Sequence, residues 1–215
     1  MNIVLLGAPG SGKGTQAERV AKKFGLYHLQ TGAIARNLAS RDARIKDMVE
    51  SGKLIPEEEM TMYVLDLLKE EKRDMSNILF EGYPRFISQY EALANFLKSK
   101  GDDIDLVISL EISEAEAIRR ISSRRICEKC GEVYNLVTNP PKGERCKCGG
   151  TLVQRKDDDS EAVKVRFEYY KSNTKELIDY VDGKGKLTRV DGEREIDVIF
   201  EEITKKIEKK EMENA

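Results

Sequence analysis

The stretch Asn2-Ile3-Val4-Leu5-Leu6-Gly7-Ala8-Pro9-Gly10-Ser11-Gly12-Lys13-Gly14-Thr15 decides the fold, because a buried-strand pattern runs straight into a glycine-rich turn that ends on lysine. Glycines at 7, 10 and 12 let the backbone curl so that several N–H groups converge on an anion, and the helix that follows adds its positive N-terminal end. Lys13 supplies a movable full charge for the outer phosphates of a nucleotide. The general phosphate-loop pattern wants Ser or Thr directly after the lysine. Here Gly14 intervenes and the hydroxyl arrives at Thr15. The competing reading is a plain strand-turn-helix corner.

Outward from this corner, short apolar runs at 2–7, 27–30, 77–81, 105–111 and 187–191 alternate with longer stretches of helical period. That alternation predicts an α/β fold, a parallel sheet covered by helices. Ala17, Val20, Ala21 and Phe24 repeat at helical spacing, as do Met60, Val64, Leu67 and Leu68, and Tyr90, Leu93, Ala94 and Leu97; each set reads as core. Ser113 with Glu116 predicts a capping box, and Pro56 followed by three glutamates suits a first helical turn. Phe167, Tyr170, Leu177, Ile178 and Val181 trace one face of a long helix, and Ile196, Ile199, Phe200, Ile203 and Ile207 trace the last. The charged tail from Lys205 to Ala215 is expected to fray. Two stretches interrupt the scheme: a polar, helical segment after the second strand, and a cysteine-bearing segment that reads as a small inserted module.

At 215 residues the chain is long enough for one domain with inserts. Lys and Arg total 37 against 39 Asp and Glu, a net charge of −2, which argues against nucleic acid or an anionic membrane as partner. No apolar run approaches the ~20 residues of a membrane span, and the first residues enter the glycine loop directly, so the expected location is the cytoplasm. Charged residues make up 35% of the chain, a fraction that fits a heat-adapted protein and equally fits solvated helices.

In reduced surroundings Cys127, Cys130, Cys146 and Cys148, crowded into 22 residues, read as metal ligands rather than disulfides. Cys127-Glu-Lys-Cys130-Gly131 is a good zinc knuckle, whereas Cys146-Lys-Cys148 is one residue tighter than usual; Cys146 is the least secure ligand and Glu144 its alternative. A segment of this size cannot hold its own apolar core, so a structural Zn²⁺ would replace one. Strand carboxyl ends open onto the ligand crevice in such sheets, which directs Arg36, Glu81 and Arg85 toward the phosphates that meet Lys13. His28, the single histidine, reads as structural because no carboxylate lies near it in sequence. Gln89 on its own is open between a base reader and an exposed helix residue.

These residues carry a resemblance. GxPGxGKGT at Gly7–Thr15, Thr31-Gly32 with Arg36, Gly82-Tyr83-Pro84-Arg85 with Gln89, and Arg155-Lys156-Asp157-Asp158 are similar to adenylate kinases of the long, zinc-lidded bacterial type. The resemblance covers nearly the whole chain. It implies a P-loop NTPase-type five-stranded parallel sheet (1–29, 60–120 and 160–215), an AMP-binding insert (30–59) and a zinc-stapled lid (121–159). It further implies a monomer that moves a phosphoryl group reversibly from MgATP to AMP, gives two ADP and keeps adenine nucleotides in balance.

Carried over by position, Gly10, Ser11, Gly12, Lys13, Gly14 and Thr15 would bind ATP together with Arg120, Arg124, Val133, Tyr134 and Arg194. Thr31, Arg36, Lys53, Leu54, Ile55, Gly82, Tyr83, Pro84, Arg85, Gln89, Arg155 and Arg166 would bind AMP. Lys13, Arg85, Arg124, Arg155 and Arg166 would be catalytic, and Thr15 and Glu81 would stand beside Mg²⁺. Phosphoryl transfer asks for charge neutralisation and in-line placement, and the attacking phosphate oxygen of AMP, with a second pKa of about 6, needs no general base. Ala33 departs from the Asp of the family's Thr-Gly-Asp, and Glu81 replaces the Asp of Asp-Gly-Phe-Pro-Arg, which leaves the metal's placement the least defined part. The alternatives are a UMP/CMP kinase of the same fold and, more remotely, a nucleotide-switched zinc-ribbon binder of nucleic acid.

Overall fold

Every residue of Ile3–Gly7 is buried, and this run forms the central strand of a five-stranded sheet in the computed structural model, which describes residues 1–71 and 75–214. In chain order the first half comprises β1 (Ile3–Gly7), α1 (Lys13–Phe24), β2 (Tyr27–Gln30), α2 (Thr31–Ala39), α3 (Ala43–Glu50), α4 (Glu57–Glu71), β3 (Ile78–Glu81) and α5 (Ile87–Lys98). There follow β4 (Leu106–Glu111), α6 (Glu114–Ser122), β5 (Arg124–Cys127), β6 (Val133–Asn135) and β7 (Leu152–Val153), then α7 (Ser160–Tyr169), α8 (Lys175–Gly183), β8 (Leu187–Asp191) and α9 (Ile196–Asn214). The large sheet runs β2-β3-β1-β4-β8, all parallel, so the carboxyl ends of all five strands share one edge.

Two-residue alternation divides the core into two layers. Val4 and Leu6 of β1 join Leu29, Phe80 and Val107 on one face and pack on Val64, Leu68, Leu93 and Leu97 of α4 and α5 and Leu177 and Val181 of α8. Ile3 and Leu5 point the other way, with Leu79, Ile108 and Val190, onto Ala17 and Val20 of α1 and Ile199, Ile203 and Ile207 of α9. A third cluster, Ala8, Ala117, Ile121, Val163 and Phe167, fastens the glycine turn to α6 and α7. Each fully buried Leu or Ile contributes roughly 1.5–3 kcal/mol, so the apolar layers carry the sheet with no help from the cleft.

The segment 124–153 is built differently. Three short antiparallel strands in the order β6-β5-β7 form it, and within that span only Cys127 and Cys146 are buried.

Three expectations need correction. The tail does not fray at Lys205: α9 continues to Asn214, because Ile207 is fully buried against α1 and Lys23 pairs with Glu208 at 3.0 Å. The long helix of residues 160–183 is not uniform, since Tyr170–Thr174 is wound as a wider π turn in which Thr174 is buried and donates to the Arg85 carbonyl at 3.4 Å. The capping box is half formed. Ser113 Oγ accepts from Glu116 N at 3.3 Å, but Glu116 turns to Arg119 and Arg120, and Glu193 takes the Ser113 N–H at 2.7 Å. No described helix is long and apolar enough to cross a membrane.

Candidate active site

The glycine turn is held shut from outside. Gly10 sits at φ +82°, and a Cβ there would stand 2.7 Å from the carbonyl oxygen of Ala117, so only glycine fits both the turn and the contact with α6. Lys13 opens α1 and folds back, its Nζ donating to the carbonyls of Gly7 and Ala8 at 2.7 Å each and to Ser11 Oγ at 3.4 Å. Burial pushes its pKa down to about 7, and Arg85, Arg166 and Arg124 push the same way while Glu81 opposes them.

The strand ends beside it bring further cations. Arg36 of α2 and Arg85, just past β3, face the same cleft. Burial lowers Arg85 to about 10, with Arg166 adding to the shift, and its Nε donates only to the Gly82 carbonyl at 2.8 Å. Burial also lowers Arg36. Gln89 is neither exposed nor free. It is buried, its Oε1 accepts from the Arg85 backbone N–H at 2.9 Å, and its Nε2 donates to the Glu57 carbonyl at 3.1 Å. Tyr83 does not line the cleft; it is fully buried, with its hydroxyl 3.3 Å from Thr61 Oγ1 and 3.4 Å from the Gln89 carbonyl. The other residues expected in the insert and after β3, Thr31, Lys53, Leu54, Ile55, Gly82 and Pro84, do line it.

From the opposite side come Arg124, Arg155 and Arg166. Burial works against the charge of Arg124, yet bidentate hydrogen bonds to Asp158 raise its pKa overall. Arg166 is lowered by burial and shares Asp157 Oδ2 at 3.2 Å and Asp158 Oδ1 at 3.3 Å. Burial, with Arg124 and Arg36 nearby, lowers Arg155 to about 10, and its buried Nε has no hydrogen-bond partner. Arg120 and Arg194 line the same cleft but are engaged, Arg120 with Glu116 at 2.6 Å and the Gly192 carbonyl at 2.7 Å, Arg194 with Glu202 and the Asp191 carbonyl. Val133 and Tyr134 of β6, together with Gly12, Gly14 and Thr15, complete a wall of a cleft of about 1080 Å³. Such a space exceeds the ~300–1,000 Å³ of a single small-ligand pocket. Among the described residues Lys13, Arg36, Arg85 and Arg155 make no ion pair with any carboxylate, so the site is a buried excess of positive charge that a polyanion would neutralise.

Glu81 is the acidic exception, and two of its partners were missed. His28 Nε2 stands 3.0 Å and Gln30 Nε2 2.6 Å from Glu81 Oε2. Burial works to raise the Glu81 pKa, but the His28 and Gln30 hydrogen bonds and Lys13 outweigh it, so the carboxyl lies below its ordinary value. An ionised carboxylate only accepts, which assigns the hydrogen to His28 Nε2. The reading of His28 as lacking a carboxylate partner is therefore corrected: the partner is 53 residues away and arrives through sheet register, which sets Gln30 opposite Glu81 and His28 opposite Leu79. The signal available in the sequence was polar residues two apart on a strand otherwise apolar.

In the cysteine module the sulfurs of Cys127, Cys130, Cys146 and Cys148 all lie within 4.8 Å of one another. Cys146 belongs to the set and Glu144 does not. The backbone N–H of Cys148 and the Tyr134 hydroxyl pull the Cys146 thiol down to about 6. Gly150 makes the gathering possible: a Cβ there would stand 2.5 Å from Cys127 Sγ.

Comparison with known proteins shows the family. The family model described as adenylate kinase matches residues 5–186. Among curated relatives named adenylate kinase, that of Archaeoglobus fulgidus is 41% identical over 215 residues, covering 97% of this chain and 99% of the relative. Those of Caldanaerobacter subterraneus subsp. tengcongensis and Thermosipho africanus are 42% and 40% identical, covering 95% and 94% of this chain and 95% and 97% of the relatives. A phosphate loop, a half-buried cluster of cations and a full-length match of this kind together place the chain in the adenylate kinase family.

Proposed function

We propose that the cleft holds ATP and AMP end to end and that Lys13, Arg36, Arg85, Arg124, Arg155 and Arg166 neutralise the phosphates between them while the terminal phosphoryl of ATP passes reversibly to AMP, giving two ADP. That reaction is the activity of the family to which the chain belongs, and the division of roles rests on one observation: Lys13, Arg36, Arg85 and Arg155, from distant parts of the chain, converge on one cleft with no ion pair to a carboxylate among the described residues. Gly10–Thr15 would cradle the ATP phosphates, with Arg120, Arg124, Val133, Tyr134 and Arg194 around the rest of that nucleotide. Thr31, Arg36, Lys53–Ile55, Gly82, Arg85 and Gln89 would hold AMP. For Gln89 the role is indirect in part, since its amide fixes the Arg85 backbone.

Oxygen donors suit a hard cation, so the Thr15 hydroxyl and the Glu81 carboxylate would stand beside the Mg²⁺ that accompanies ATP. When bound, that ion would offset the charge of the phosphates. The four thiols suit zinc: a tetrahedral tetrathiolate site has sulfur–sulfur edges of about 3.8 Å, and contacts of 3.4–3.5 Å within an outer limit of 4.8 Å bracket that value. No general base is required, and His28 is occupied by Glu81. Core (1–29, 60–120, 160–215), insert (30–59) and lid (121–159) would move against one another; Lys156 of the lid already meets Glu50 of the insert at 2.9 Å, a contact that helps exclude water from the transfer. A monomer in the cytoplasm, with no nucleic-acid or membrane partner, fits the net charge of −2 and the reduced thiols.

A coupled assay of ADP formation from MgATP with AMP, CMP, UMP or GMP tests the reading. AMP should be preferred by at least about tenfold, the worth of one or two hydrogen bonds to the base. Turnover with UMP or CMP equal to that with AMP would replace the assignment with a pyrimidine nucleotide kinase.

A further inference from the structure

Glu81 carries one methylene more than the aspartate it replaces, and a longer arm on the last residue of a strand has more rotamers to choose from. In this protein the arm is pinned. His28 and Gln30, two residues apart and therefore on one face of β2, both reach the same oxygen, Oε2, at 3.0 and 2.6 Å. Oε1 takes none of the described hydrogen bonds, and it is the oxygen nearer to the start of α1: a Cβ built on Gly14 would stand 3.5 Å from Oε1 and 3.9 Å from Oε2. The side chain is only 12% exposed, so the arrangement is packed rather than one of many surface conformers.

From this we infer that His28 and Gln30 are positioning residues that clamp Glu81 by one oxygen and aim the other at the phosphate loop, where it holds the water shell of the divalent cation carried by ATP. The inference rests on the placement of that cation beside Thr15 and Glu81 proposed above. A carboxylate held by two donors loses its rotational freedom before the metal arrives, which is how orienting partners raise the metal affinity of a ligand. Gln30 faces Glu81 directly across the strand pair and His28 sits on the diagonal, so neither can follow the carboxylate if it swings away.

The measurement is the affinity for ATP by calorimetry, in the absence of AMP, once with excess Mn²⁺ and once in chelator. The ratio of the two affinities isolates the enzyme's contribution to metal binding. His28→Ala and Gln30→Ser should each lower that ratio by roughly three- to tenfold, at or below the ~10–100-fold effect of losing a partner of a direct ligand, and leave metal-free ATP affinity within twofold of the parent. His28→Gln, which keeps an N–H donor at similar reach, should restore most of the ratio. In a Glu81→Gln background neither clamp substitution should lower it further. A merely structural rivet between β2 and β3 would lower the melting temperature and leave the ratio alone; that result, or an equal drop in the Glu81→Gln background, overturns the inference. If Glu81→Gln itself keeps the parent ratio, the placement of the metal fails too, and the cation cleft is untouched by that failure.

Discussion

The cleft and the cysteine module each gather groups of a single kind, but on unlike foundations. Lys13, Arg36, Arg85 and Arg155 meet, without an ion pair to a carboxylate among the described residues, beyond the ends of β1, β2 and β3 and ahead of α7, and those strands lie between two apolar layers. The four thiols meet in a segment of which only two of the thiols' own residues, Cys127 and Cys146, are buried. Repulsion among the cations is therefore absorbed by a scaffold that does not depend on them, whereas the thiols have no apolar scaffold of their own and would depend on a bound ion. The cation cluster should behave as function held at a cost to stability, and the thiol cluster as stability itself.

The sharpest way to break this distinction is Lys13→Met, which keeps the length of the side chain and removes its charge. Turnover should fall on the order of 10³-fold, the scale of losing a preorganised charge at the reacting phosphoryl. The melting temperature should hold or rise, because a buried ammonium surrounded by three guanidinium groups is removed. Near-normal turnover would overturn the role of Lys13; a collapse of the fold would overturn the claim that the scaffold is independent.

Treating the protein with a chelator, to remove the zinc proposed for the module, is the mirror experiment. Amide exchange at β5 and β7 should accelerate by at least about tenfold, as local opening becomes easier, while β1 and β4 keep their protection. Gly150→Ala should reproduce a milder version without a chelator, since the added methyl would press on Cys127 Sγ. Equal acceleration in β1 would show that the module is not separately stapled.

What could be read from the sequence follows the same division between local and distant. The phosphate turn and the Cys-x-x-Cys pair are local and pointed to their chemistry from spacing, whereas the tight Cys-x-Cys left Cys146 open until the four sulfurs were seen together. The strands β1 and β4 were placed within a residue of their observed ends because burial on both faces leaves an unbroken apolar run. The bond from His28 to Glu81 was invisible because it depends on which strands are neighbours, and these two residues, 53 apart in sequence, come together only because β2 and β3 are adjacent in the sheet. Gln89 and Tyr83 were misjudged or left open for a related reason: both look like surface or ligand residues in sequence, yet both are built into the turn that carries Arg85. The tail misled because Ile207, alone among lysines and glutamates, finds a seat against α1.

The depressed lysine gives a smaller effect with a definite sign. Its folded pKa of about 7 lies below the ordinary lysine value of 10.5 that holds in the unfolded chain, so the unfolded chain binds the extra proton between those limits. Stability of the ligand-free protein should therefore gain from this group as pH rises through about 7, and the gain should be absent in Lys13→Met. Binding of ATP reverses the shift by bringing negative charge to the ammonium. At pH 8, where the triphosphate is already fully ionised, calorimetry in buffers of different ionisation enthalpy should register uptake of up to about one proton per ATP, and none for Lys13→Met. Proton release in the parent protein would mean that the ammonium is not the group that meets the phosphates.

The smallest effect belongs to a pair that is already neutralised. Lys156 meets Glu50 of α3 at 2.9 Å, but their side chains are 73% and 37% exposed, and an ion pair so open to solvent contributes little. Lys156→Gln should therefore raise the apparent KM for both nucleotides by less than about fivefold with kcat little changed, and the difference should vanish near 1 M salt, where screening acts within ~3 Å. The contrast with Lys13 is the point of the comparison: on the proposed reading, a cation with its counter-ion in the protein would only tune closure, whereas a cation without one would wait on the substrate. A Lys156→Gln effect as large as that of Lys13→Met, or one indifferent to salt, would erase that contrast.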